Sequence, residues 1–172
     1  MGRFHEMMMD SFRRMKESAV FKSWKRENKE SYLVHAFNMV EGEKEAGWQF
    51  GYYLKKKDRV VTFIVDDDVK KSPESEVFKK DRKAIMQLDL ARVKTACDKA
   101  LEKAKKLQDD KYKGHEPFKE VVLLQHIELG QVWNITFVTR SFDTLNIKID
   151  SGTGKIKSHK LESLFSFGGK AG

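Results

Sequence analysis

The chain has 172 residues, 34 Lys+Arg against 26 Asp+Glu, and a formal charge of +8. That length suits one domain or two small ones and buries a core without staples. A single cysteine, Cys97, excludes an internal disulfide and a cysteine-rich zinc site, and 40% hydrophobic with 11% aromatic residues excludes a disordered chain. Residues 1–88 and 89–172 each carry a net charge of +4, the interleaved pattern of a solvated surface rather than a basic tail.

From the N-terminus, Arg3, His5, Glu6, Asp10, Arg13 and Arg14 interrupt every apolar run. No secretory leader or membrane span is predicted, and Met1-Gly2 is followed by Glu6 where a myristoylation signal carries Ser or Thr. The expectation is a cytoplasmic protein without membrane contact. Phe4, Met8, Phe12, Met15 and Ala19 form an apolar stripe that predicts a helix from about Phe4 to Lys25. A strand over 31–41 and a polar turn come next. The alternation from Trp48 through Val65 then predicts a half-buried hairpin.

Residues 71–88 read as a connector. Within it Ser72-Pro73 predicts an N-cap and first helical position, with a short helix through Val77, Phe78 and Lys79. Behind a candidate cap at Asp89, the stripe Leu90, Val93, Cys97, Ala100, Leu101, Ala104 and Leu107 predicts a second long helix, stopped by Gly114 and Pro117. A strand from Pro117 and a second hairpin from Trp133 to Asp150 complete the pattern.

The two hairpins align. Trp48 matches Trp133, Phe50 matches Ile135 and Tyr52 matches Phe137; after a one-residue gap Val61, Phe63, Val65 and Asp66 match Leu145, Ile147, Ile149 and Asp150. The order helix, three strands, connector, helix, three strands therefore reads as an internal repeat in an α+β fold. The units are 1–70 and 89–165, with a flexible tail at 166–172. They continue one sheet edge to edge or pack face to face.

The second unit resembles the PepSY family. The resemblance rests on the helix with Val93, Ala96, Ala100 and Ala104, on Pro117 before a strand, on Trp133-Asn134-Ile135-Thr136-Phe137, on Leu145 to Asp150, and on the closing turn Gly152-Thr153-Gly154-Lys155-Ile156. It covers under half of the chain. The first unit ends in Asp66-Asp67-Asp68 and lacks the Thr-Gly-Lys turn, as a diverged copy would. The resemblance implies a cystatin-like shape, one helix wrapped by an antiparallel sheet, and a role in inhibiting or regulating peptidases or the cell envelope. Most PepSY-like proteins are secreted or membrane-tethered, whereas neither a leader nor an anchor is expected for this chain.

Chemistry is sparse. His5, His35, His115, His126 and His159 show no metal-ligand spacing; His35 and His126 fall in corresponding strands as strand residues, with a shared metal or proton site the other reading. Asp66-Asp67-Asp68 lacks the glycine and distal glutamate of a calcium loop and reads as a solvated turn. Gly152-Thr153-Gly154-Lys155 lacks phosphate-loop spacing and reads as a hairpin turn. Cys97 lies on an apolar stripe, as a buried thiol. No nucleophile, base or paired-carboxylate pattern stands out, so the expectation is a non-enzyme without cofactor or metal.

Alternation instead places Asn134, Thr136, Asn146, Lys148 and Asp150 on one sheet face, with Gln49, Gly51, Tyr53, Thr62 and Ile64 on the equivalent face of the first unit. This is a platform for a protein or peptide partner, through the face or by strand addition at an edge; a homodimer is compatible with it. The alternative is nucleic-acid binding by Lys55, Lys56, Lys57 and Arg59 at a hairpin tip near Trp48, Tyr52 and Tyr53.

Overall fold

The computed structural model describes residues 3–77 and 84–167. Two helices open it, α1 over Arg3–Glu17 and α2 over Ala19–Glu27, where the stripe predicts one. The break is Ser18: its backbone is extended (ψ 146°) and its hydroxyl accepts the Phe21 N–H at 3.2 Å, capping α2. The break re-aims the chain so that Met8 and Met15 of α1 and Phe21 and Trp24 of α2 all reach the core.

Strands β1 (Tyr32–Glu41), β2 (Lys44–Glu45), β3 (Trp48–Leu54), β4 (Arg59–Val65), β5 (Val69–Lys71) and β6 (Ser75–Glu76) follow. The short helix expected behind Ser72-Pro73 does not start there: Ser75 and Glu76 pair with Val60 and Arg59 as edge strand. Ser72 holds this course, its N–H donating to the Thr62 carbonyl and its hydroxyl accepting the Thr62 N–H. Pro73 sits on the sheet edge, where a missing donor costs little. Phe78 and Lys79 lie outside the described residues.

The second long helix also starts later than its stripe. Asp89 caps only a 3-10 turn over Leu90–Arg92, and α3 runs over Cys97–Lys111. Between them the N–H groups of Lys94 and Thr95 both donate to the Ser151 carbonyl, at 2.9 and 2.8 Å, which competes with helical bonding. Leu90 and Val93 still pack on the core, from the turn rather than from the helix. Strands β7 (Pro117–Ile127), β8 (Gly130–Thr139), β9 (Asp143–Asp150) and β10 (Ile156–Ser163) and a 3-10 turn at Leu164–Phe167 complete the described chain. Residues 168–172 of the expected tail lie outside it.

The fold is α+β: among the described residues three helices lie against one ten-stranded antiparallel sheet, of order β10-β9-β8-β7-β1-β3-β4-β5, with β2 beside β1 and β6 beside β4. The sheet is continuous because β1 and β7 pair along seven residues at its centre. Each side holds four principal strands rather than the three expected; β5 and β10 add the edges. Residues aligned between the two hairpins occupy the same cross-strand pairs: Trp48 faces Val65 as Trp133 faces Ile149, and Phe50 faces Phe63 as Ile135 faces Ile147.

One core lies between the helices and the inner face of the sheet. Trp48, Phe50, Phe63, Trp133, Phe137 and Ile147 are almost wholly buried in it, each contributing on the order of 2 kcal/mol by burial. The two halves are also joined through the helices. The Asp98 carboxylate accepts the free N–H groups of Phe4 and His5 at the start of α1, at 3.1 and 3.0 Å.

Candidate partner-docking face

Side chains of directly opposed residues share a face of the sheet. Because Ala36 and Leu124 point into the core, their neighbours Phe37 and Leu123 point outward. Following the pairs from there gives an unbroken outer row across eight strands: Lys70, Ile64, Gln49, Phe37, Leu123, Asn134, Lys148 and Ser158. A second row runs Met39, Val121, Thr136, Asn146 and Lys160. The centre of this face is thus apolar, made by Phe37, Met39, Val121 and Leu123, all half-buried. All the helices pack on the other face.

The predicted residues Asn134, Thr136, Asn146 and Lys148 come together as one network beside that centre. The Asn146 amide donates to Asn134 Oδ1 at 2.6 Å and to Thr136 Oγ1 at 3.0 Å, while Lys148 Nζ donates to Asn146 Oδ1 at 2.7 Å. The bonds pre-order four polar side chains. The network holds one cation and no carboxylate.

Asp150, the fifth, shares their face by register but is occupied locally. Its Oδ1 accepts the N–H groups of Gly152 and Thr153, at 2.9 and 2.7 Å. The Thr153 bond in particular holds its carboxyl below the usual range. Gly154 N–H turns back to the Asp150 carbonyl, so the Gly152–Lys155 turn spends its backbone donors on itself rather than on a phosphate.

The first hairpin's outer face is not the open surface expected. Tyr53, with Val34 and Val60, forms a small second core against Tyr32, Val77 and Ile85. The connector covers this end of the sheet; the Tyr32 hydroxyl donates to the Ile85 carbonyl at 2.7 Å and the Leu88 N–H to the Leu33 carbonyl at 2.8 Å. Gly51 is covered too. The His35 imidazole lies across it so closely that a Cβ there would fall 2.1 Å from the ring. Burial lowers the His35 pKa to about 4. Only Gln49, Thr62 and Ile64 of the first-half residues remain at the open part of the face.

The other candidates do not gather at one place among the described residues. His35 faces outward opposite Gln125, whereas His126, one residue on, faces the helix side and bonds the Gln87 carbonyl, so the two share no site. Cys97 is buried, which pushes its thiol pKa well up. The backbone carbonyls of Asp66 and Asp67 accept from Arg14. Among the described residues no three His, Cys, Asp or Glu side chains gather as metal ligands. Lys56, Lys57 and Arg59 pair with Glu30, Glu74 and Glu76 at 3.1, 2.8 and 3.5 Å; of the proposed nucleic-acid cluster, only Lys55 stands without a carboxylate among the described residues. Tyr52 turns into the core and Tyr53 under the connector.

The apolar centre was missed in the sequence, although a signal existed. Strands β1 and β7 read as near-continuous apolar runs (Ala36-Phe37, Met39-Val40; Val121 to Leu124), the pattern of central strands apolar on both faces.

No protein-family profile matches the chain, and no curated protein matches it. Among solved structures it is similar to a crystal structure from Clostridium difficile 630 described as "a putative lipoprotein", with a TM-score of 0.54 and 14% identity. The match covers 86% of this chain and 97% of that one, and shows a shared fold.

Proposed function

We propose that this protein is a non-enzymatic binding or regulatory module, built from two PepSY/cystatin-like units joined edge to edge, that engages a protein or peptide through the outer face of its sheet. The observation that carries the reading is the half-exposed Phe37, Met39, Val121 and Leu123 centre flanked by the pre-ordered Asn134–Thr136–Asn146–Lys148 network. An apolar middle with a hydrogen-bonding rim is the anatomy of a recognition surface. Strand addition at β10 is the weaker mode: Lys157 and Lys160 lie along that edge, and edge lysines oppose pairing. The nucleic-acid alternative through Lys55, Lys56, Lys57 and Arg59 is set back by ion pairs on three of those four cations.

The test is selection of binding peptides from a displayed random library, followed by amide shift mapping on the full chain. Shifts centred on Phe37, Leu123 and Asn134, abolished by Leu123→Lys with near-UV circular dichroism unchanged, would support the reading. Shifts on the helix side, or binding that survives Leu123→Lys, would reject it.

A further inference from the structure

On the opposite side of the sheet from the docking face, a cleft of about 690 Å³ runs between the α1/α2 pair and the Leu90–Arg92 turn. Its apolar lining includes Phe12, Phe21, Leu33, Tyr52 and Leu90. Its cations are Lys16, Lys25 and Arg92, and its one carboxylate, Asp89, is turned to cap the Leu90–Arg92 turn through the Ala91 N–H. None of the three cations pairs with a carboxylate among the described residues. Lys25 is held in place: its ammonium donates to the carbonyls of Lys29 and Ser31 and to the Ser31 hydroxyl, above the Tyr52 ring. It is a fixed positive charge at an aromatic floor. Lys16, whose ammonium lies over the Phe12 ring 5.5 Å from its centroid, and Arg92 are both exposed and pair with no carboxylate among the described residues. The lining sets three cations against that one capping carboxylate, and a cleft walled mainly by one sign of charge focuses that field. An apolar slot with a few convergent polar groups is the usual form of a small-ligand site.

We propose that this cleft binds a small amphipathic anion, an acidic head group on a flat apolar body. The body lies between the partly exposed Phe12 and Leu90, and the head group meets Lys16 and Arg92 in the field of Lys25. Binding here is independent of the partner-docking reading, because the two surfaces lie on opposite faces of the sheet.

The full chain is titrated with 8-anilinonaphthalene-1-sulfonate and with uncharged N-phenyl-1-naphthylamine. The expected result is saturable sulfonate binding, about tenfold weaker for the uncharged analogue, with amide shifts at Phe12, Tyr52 and Leu90 to Arg92. Lys16→Gln/Arg92→Gln, at exposed positions that spare the fold, is expected to weaken sulfonate binding about tenfold, while Lys22→Gln/Arg26→Gln on the same helix pair leaves it unchanged. Equal affinity for the two dyes, no saturable binding, shifts on the outer sheet face, or full affinity in the Lys16/Arg92 variant would each overturn the proposal.

Discussion

The β3–β4 and β8–β9 hairpins share a register and an inner face, yet their outer faces have opposite fates. On β3 and β4 the outer residues Tyr53 and Val60 are buried beneath the connector. At the position of Tyr53, β8 carries Val138, which is only half-buried. Farther along, where β3 carries Gln49 and Gly51, β8 carries the hydrogen-bonding Asn134 and Thr136. Inner-face alternation therefore specifies the hairpin, and outer-face composition specifies what lies on it. A large aromatic there recruits cover; short polar side chains bond one another and leave the face accessible.

The largest expected effect tests that cover directly. Tyr53→Ala should cost about 3 kcal/mol, since the ring is 4% exposed and packs edge-on to Tyr32 at 5.6 Å. Val138→Ala, at the equivalent but half-exposed position, should cost under about 1 kcal/mol. Urea midpoints of the two variants measure the contrast, and equal losses would mean the connector adds nothing.

Next is a pH effect confined to the covered side. His35 has a folded pKa near 4, below its unfolded value. Between about pH 6.5 and 4 the unfolded chain binds the extra proton, so this group's stabilisation is complete above that window and lost as pH falls through it. At the full shift the loss would be roughly 3 kcal/mol. His35→Gln removes this component, so the stability difference between pH 7 and pH 4.5 should shrink in the variant relative to the parent chain. An unchanged difference would show that the imidazole is solvated.

A smaller difference separates the paired tryptophans. Trp133 Nε1 donates to the Thr95 carbonyl at 2.9 Å, whereas Trp48 Nε1 is buried with no hydrogen-bond partner among the described residues. Trp→Phe at 133 strands a carbonyl, while at 48 it removes an unsatisfied donor. Trp133→Phe should therefore be the costlier by about 1–2 kcal/mol. Thermal or urea unfolding checks the order; the reverse order would mean that Trp48 Nε1 has an ordered water as partner.

These contrasts also mark what was legible in the sequence. Alternation located the strands and the shared hairpin register, because every second residue from Trp48 and from Trp133 is a large apolar one. It failed where tertiary bonds overrule a local pattern. Ser18 caps a new helix inside an unbroken stripe, and Ser151 draws Lys94 and Thr95 out of another. Four of five outer-face polar residues were legible as neighbours from register alone. The apolar centre was not, because it forms only when β1 pairs with β7, a contact between strands some eighty residues apart. The ion pairs that occupy Lys56, Lys57 and Arg59 were likewise invisible, since their partners approach only through folding.

The smallest effect concerns the matched aspartates that end the two hairpins. Asp150 accepts two backbone N–H groups and holds a turn whose Ser151 carbonyl in turn positions Lys94 and Thr95 before α3. Asp66 is exposed, and its turn closes through its own N–H to the Asp68 carbonyl, a bond that does not involve the side chain. Asp150→Ala should cost about 1 kcal/mol, as loss of a local cap does, and Asp66→Ala should stay within about 0.5 kcal/mol. Because the Asp150 carboxyl is held below its usual range, its contribution is present at neutral pH and fades as pH falls through the folded pKa. The two variants should therefore differ at pH 7 and converge in acid. Convergence already at neutral pH would mean the Gly152–Lys155 turn is held by its backbone alone, and the departure of the first unit at Asp66-Asp67-Asp68 would then carry no energetic consequence.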